Sequence, residues 1–106
     1  MDFEQIKPVL ISYINRLKTQ ISVSRAFVYG SVVEGRATPE SDIDMVVLSP
    51  DFADTDVDSR LKILYRNTVG IPYDLHVYGL TPQEYTSASP LTTVGVLHTK
   101  KTIAVA

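Results

Sequence analysis

Residues 30 to 48 read GSVVEGRATPESDIDMVVL, and the turn, loop and strand they spell decide the fold. Gly30 ends a run, VSRAFVY at residues 23–29, that is apolar and aromatic enough for a strand. Glycine there lets the backbone turn sharply and approach another group closely. Residues 31–41 are small, polar or turn-forming and include Gly35 and Pro39, which predicts a short helix followed by a loop. Asp42-Ile43-Asp44-Met45-Val46-Val47-Leu48 starts in strict alternation and ends as an apolar run, the pattern of a central strand.

Outward from that stretch, helices and strands alternate. Phe3, Ile6, Leu10, Tyr13, Leu17 and Ile21 recur at steps of three and four, the period of an amphipathic helix, with its regular part starting or bending near Pro8. Residues 55–66 carry Val57, Leu61 and Leu64 on one stripe. The acidic Asp54, Asp56 and Asp58 crowd the start and Arg66 stands at the end, as the helix dipole favours. Tyr73 to Tyr78 (YDLHVY) alternate like a third strand. Thr81, Pro82 and Glu84 form a helix start, with a capping hydroxyl, proline at the first position and a carboxylate three residues on. A further short helix is expected after Pro90, and TIAVA at 102–106 is either a last strand or a frayed end. The expected fold class is α/β (α+β): a small mixed sheet carrying the site on one face, with helices packed on the other.

Composition narrows the function. With 106 residues the chain fits one domain, expected to span 1–106. Hydrophobic residues make up 44% and charged residues 21%, close to a globular average and far from a disordered chain. The net charge of −2 shows no basic excess, so no long nucleic acid is expected as partner. There is no cysteine, which excludes disulfides and thiolate metal sites and fits a reducing cytoplasm. MDFEQIKP at the start is acidic and broken by proline, unlike a signal peptide. No apolar segment approaches the roughly 20 residues of a membrane helix. A cytoplasmic protein with no membrane partner is the expectation.

The chemistry concentrates in Gly30-Ser31, ten intervening residues, and Asp42-Ile43-Asp44. A glycine turn opening a helix offers free amides and a positive dipole end to a phosphate, and Ser31 adds a hydroxyl. Asp42 and Asp44, two apart on a strand, leave the same face. Carboxylates held so close repel, and a hard divalent cation removes the conflict. Asp74, in the third predicted strand, would reach the same cluster if that strand lies beside the one carrying Asp44. Three carboxylates allow two metals, the clamp used for phosphoryl and nucleotidyl transfer. His76 shares a face with Asp74, but a lone histidine reads as a packed or surface residue, and so does His98. Tyr13, Tyr29, Tyr65 and Tyr78 fall at apolar positions and read as core.

These residues carry a resemblance. GSVVEGRATPESDIDMVVL resembles the signature of the DNA polymerase beta-like nucleotidyltransferase superfamily. In length, element order, the glycine-serine turn, Ser41-Asp42-Ile43-Asp44 and Asp74, the chain is similar to the minimal nucleotidyltransferase domains that act as antitoxins beside HEPN-domain ribonuclease toxins, in type VII pairs. The resemblance implies the small nucleotidyltransferase fold, two magnesium ions and ATP as substrate. It implies that Gly30 and Ser31, with Ser41, bind the nucleotide, that Asp42 and Asp44 hold both metals, and that Asp74 holds the catalytic metal and activates the attacking hydroxyl. The chain departs from the family at Val33 and Glu34, where alanine and arginine are usual. Arg36 would then supply the missing charge to the triphosphate.

The acceptor implied by the resemblance is a tyrosine of the partner HEPN toxin. Two other readings stand beside it: a small-molecule transferase of the aminoglycoside type, and a non-catalytic antitoxin that neutralises its partner by contact alone. The first of these usually needs a further domain to bind its acceptor.

Overall fold

In a computed structural model that describes residues 2–89 and 91–106, the chain runs through α1 (Phe3–Leu17), β1 (Arg25–Tyr29), α2 (Ser31–Glu34) and β2 (Ile43–Leu48). A short 3-10 turn (Pro50–Phe52) leads to α3 (Val57–Arg66), β3 (Leu75–Leu80), α4 (Pro82–Thr86), α5 (Thr93–Leu97) and β4 (Ile103–Ala104). The sheet is four-stranded in the order β3-β2-β1-β4. β1 is antiparallel to β2 and β4, while β2 and β3 are parallel. This is the mixed sheet expected of an α+β domain. Among the described residues no helix is long and apolar enough to cross a membrane.

Alternation along the strands sorts the two faces. Ala26, Val28, Ile43, Met45, Val47, Leu75 and Val77 face one way and pack with Ile6, Leu10, Tyr13, Ile14 and Leu17 of α1. Tyr13, fully buried, donates its hydroxyl to the Leu64 carbonyl at 2.6 Å and so ties α1 to α3. Burial raises its pKa well above the usual tyrosine range, so the hydroxyl stays a donor. The opposite face carries Tyr29, Asp44 and His76 in one row, then Phe27, Val46 and Tyr78 in the next. That face is open at the first row. Farther along it is covered, because Leu97 of α5 and Tyr85 of α4 pack on Phe27, Val46 and Leu48. The sequence reading had helices on one face; the α4–α5 segment adds a partial cover on the other.

Several boundaries differ from expectation for local reasons. α1 starts before Pro8, because Asp2 and Gln5 form a reciprocal capping box that satisfies the first amides. Pro8 sits on its exposed side, where the Glu4 carbonyl it leaves free can meet water. The helix stops at Leu17; Ile21 is still buried but belongs to the turn that follows. α3 begins at Val57 because Asp56 is its cap, accepting from the Ser59 amide at 2.7 Å. β3 runs two residues later than the alternation suggested, through Gly79 and Leu80, which pair with Val47 and Leu48. The final segment is a strand, with Val28 and Phe27 opposite Ile103 and Ala104. α5 supplies the helix expected after Pro90, which itself lies outside the described residues.

Gly79 shows why β3 tolerates a glycine in its interior. A Cβ there would stand 2.8 Å from a Phe52 ring carbon and 3.0 Å from a Leu64 methyl, so α3 and the 3-10 turn lie directly on the backbone. Gly79→Ala should therefore lower stability by about 1–3 kcal/mol through overpacking. A urea unfolding midpoint equal to that of the parent protein would show instead that the Phe52 ring swings aside freely.

Candidate functional site

The site is assembled at one end of the parallel strand pair. Ile43 donates its amide to the Asp74 carbonyl at 2.8 Å, and Asp44 is the register partner of His76 on one side and Tyr29 on the other. Asp42 therefore immediately precedes β2, and Asp74 immediately precedes β3 rather than lying within it. The two aspartates flanking Ile43 leave the same face while Ile43 is wholly buried on the other.

Gly30 brings the turn before α2 against this pair. Its φ is 81°, in the region that favours glycine, and an added Cβ would lie 2.7 Å from Asp44 Oδ2. Any side chain at position 30 would thus be strained and would also displace the Asp44 carboxylate. Ser31 is the first residue of α2, and Gly35 closes that helix in the left-handed conformation.

His76 is the residue whose importance the sequence understated. Its Nε2 lies 3.5 Å from Asp42 Oδ2 and its Nδ1 4.0 Å from Asp44 Oδ1. The Asp44 pKa is raised, first by partial burial, then by the Asp42 charge; His76 and Lys100 act against the rise. Lys100, in the turn before β4, had no local signal to mark it. It is nonetheless a cation within electrostatic range of the Asp44 carboxylate. Tyr29 is pushed up to about 12, by burial first and the nearby Asp44 charge second.

The other expected residues fall as follows. Ser41 accepts from the Thr38 amide at 2.9 Å and lies 3.3 Å from the Thr38 hydroxyl, so its oxygen closes the loop before β2. Arg36 is paired with Glu34 at 2.9 Å on the exposed surface. Asp74 and Ser41 line one shallow groove between the loops leading into β2 and β3. Among the described residues no group of three or more His, Cys, Asp or Glu stands ready-made to hold a metal ion. What the fold does bring together is Asp42, Asp44 and His76. The two carboxylates are hard oxygen donors, suited to an ion that completes its shell with water and substrate oxygen.

No curated protein matches the chain in sequence. Among solved structures, a candidate nucleotidyltransferase from Sulfolobus solfataricus has a TM-score of 0.65 at 16% identity, over 77% of this chain and 72% of that one. A chain from a toxin-antitoxin structure with AMP-PNP has a TM-score of 0.61 at 22% identity, over 91% of this chain and 72% of that one. At such identities the likeness is one of fold. The sequence itself matches the nucleotidyltransferase domain family over residues 10–93, which takes in the glycine-serine turn, Asp42, Asp44 and the strand carrying His76. The chain belongs to the nucleotidyltransferase domain family.

Proposed function

We propose that the chain is a metal-dependent nucleotidyltransferase that moves AMP from ATP to a tyrosine of a partner ribonuclease toxin of the HEPN class, and so acts as its antitoxin. The observation that carries the reading is the convergence of Asp42 and Asp44 on one open face, with Gly30 placed so that a Cβ there would lie 2.7 Å from Asp44 Oδ2. Family membership supports the nucleotidyl transfer. The fold shared with a chain of a toxin-antitoxin structure holding AMP-PNP supports the donor and the kind of partner.

In this reading Asp42 and Asp44 would hold two magnesium ions, and Asp74 would join them at one. Bound magnesium would supply positive charge to the α-phosphate and to the attacking and leaving oxygens. Gly30 leaves the Asp44 carboxylate in place, and the amide end of α2 with the Ser31 hydroxyl orients the triphosphate. The tyrosine oxygen attacks the α-phosphorus, the bond to the β-phosphate oxygen breaks, and pyrophosphate leaves. Asp74 takes up the phenol proton. A phenol reaches into a cleft on a long side chain and loses its proton more readily than a serine hydroxyl, which favours tyrosine as acceptor.

Intact-mass spectrometry of the partner after incubation with this chain and magnesium ATP tests the proposal. The expected result is a gain of one or more adenylate groups, absent with Asp44→Asn. One observation favours contact-only neutralisation: the Arg36 guanidinium is engaged by Glu34 rather than free for phosphate. That second reading requires an unchanged partner mass together with full neutralisation by Asp44→Asn.

A further inference from the structure

The site-bearing face does not end at the carboxylates. Beside Tyr29, the register partner of Asp44, a cavity of about 390 Å³ opens and runs along β3 past Tyr78 to Leu80, walled by Leu61 of α3 and Leu97 of α5. Tyr78 and Leu80 stand opposite Val46 and Leu48, two and four residues beyond Asp44, which places the cavity roughly 7–13 Å along the strand. The lining is apolar and aromatic apart from Arg60 and Glu84.

Those two polar side chains are already committed. Arg60 donates to the carbonyls of Thr55, Phe52 and Gly79 and to both Glu84 oxygens. Glu84 also accepts from the Thr81 amide at 2.7 Å. The polar side-chain groups left to a ligand are the Tyr29 and Tyr78 hydroxyls, and a hydroxyl donates or accepts with equal ease. The cavity therefore presents ring faces and aliphatic surface without a pattern that reads one hydrogen-bonding edge against another.

We propose that this cavity seats the nucleobase of the donor nucleotide and holds it by stacking and apolar burial, so that the chain binds ATP and GTP about equally. The inference rests on the reading that the triphosphate and its metals lie at Asp42 and Asp44. With the α-phosphate there, ribose and base are the free end of the donor and must continue along the face. An acceptor hydroxyl is the tip of its own side chain, so the remainder of the acceptor leads outward to solvent. A cavity enclosed between α3, the sheet and α5 suits the donor's end and not the acceptor's.

Calorimetric titration separates the possibilities, using magnesium AMP-PNP, magnesium GMP-PNP and magnesium tripolyphosphate, which has no base. Tyr78 is half exposed, so Tyr78→Ala keeps the fold while removing a stacking ring. The expected result is roughly tenfold weaker binding of both nucleotides to Tyr78→Ala. Tripolyphosphate binding should be unchanged, and Tyr78→Phe should restore the nucleotide affinity. Undiminished AMP-PNP binding by Tyr78→Ala would overturn the assignment, and loss of partner modification in that same variant would give the cavity to the acceptor. A wild-type preference of more than tenfold between the two nucleotides would overturn the stacking-only mode. Failure of the wild-type protein to bind even tripolyphosphate would refute the reading of the carboxylates, and this proposal with it.

Discussion

Asp44→Asn is expected to abolish the rise in melting temperature that magnesium and ATP together give the parent protein, while leaving the unliganded fold at least as stable. A ligand bound only by the folded state stabilises it by mass action, and on the proposed chemistry that binding needs the Asp44 carboxylate. Nucleotidyl transfer should fall roughly a hundred- to a thousandfold, the scale of losing one preorganised electrostatic group at a reacting centre. The unliganded behaviour follows from the raised pKa, caused first by burial and then opposed by His76 before Asp42 adds to it. A carboxyl with a higher pKa folded than unfolded adds stability below that raised value and loses it as the pH climbs through it. The parent protein without ligand should therefore gain stability from neutral pH toward mild acid, and Asp44→Asn should lack that gain. The effect stays below about 1 kcal/mol because the group is partly solvated. Melting curves with and without magnesium ATP, across pH, decide the matter. An undiminished magnesium-dependent shift in the variant would remove Asp44 from the site.

Arg60→Met should cost on the order of 3 kcal/mol of stability, because it removes a buried charge that several groups share. Arg60 is only 7% exposed, and its guanidinium joins the 3-10 turn, α3, β3 and α4 through three carbonyls and one carboxylate. Removing it strands those acceptors, and methionine fills the volume without answering any of them. The Glu84 pKa is lowered, chiefly by its hydrogen bond from Arg60 and then by the Thr81 amide. A carboxylate with a lowered folded pKa contributes stability that is fully present at neutral pH and lost as the pH falls through that value. The gap between the urea midpoints of parent and variant should therefore narrow in acid. Arg60→Lys should fall between the two, since one ammonium cannot reach all the acceptors of a planar fork. Equal midpoints for parent and Arg60→Met would show that the network is idle.

What could be read from the chain in advance follows from how local each signal was. The pair Asp42 and Asp44 was legible because strand alternation alone puts them on one side, and the buried Ile43 between them keeps that register. Gly30 was legible as a turn, though its reason, the Asp44 oxygen where a Cβ would be, depends on two segments meeting. His76 was not legible as a neighbour of the carboxylates, because its meaning lies in the pairing Asp44 to His76 and no local pattern states a register. Arg60 carries no local signal, because its partners are as far off in sequence as Gly79 and Glu84. The shift of β3 arose similarly, since Tyr73 alternates well enough but pairing begins only at Leu75. The partial cover by α4 and α5 rests on Tyr85 and Leu97 meeting Phe27, a contact that short helical patterns do not announce.

The treatment of the β3 margin has a consequence for assembly. Its outward Val77 amide is taken by the Tyr65 hydroxyl at 3.1 Å and its outward Gly79 carbonyl by Arg60, so α3 stands where a foreign strand would have to lie. At the other margin β4 offers a two-residue strand. Growth of the sheet by strand addition is thus possible from one side alone. Two copies meeting there would exhaust the available margin in each other, so such pairing stops at two chains and cannot propagate as a filament.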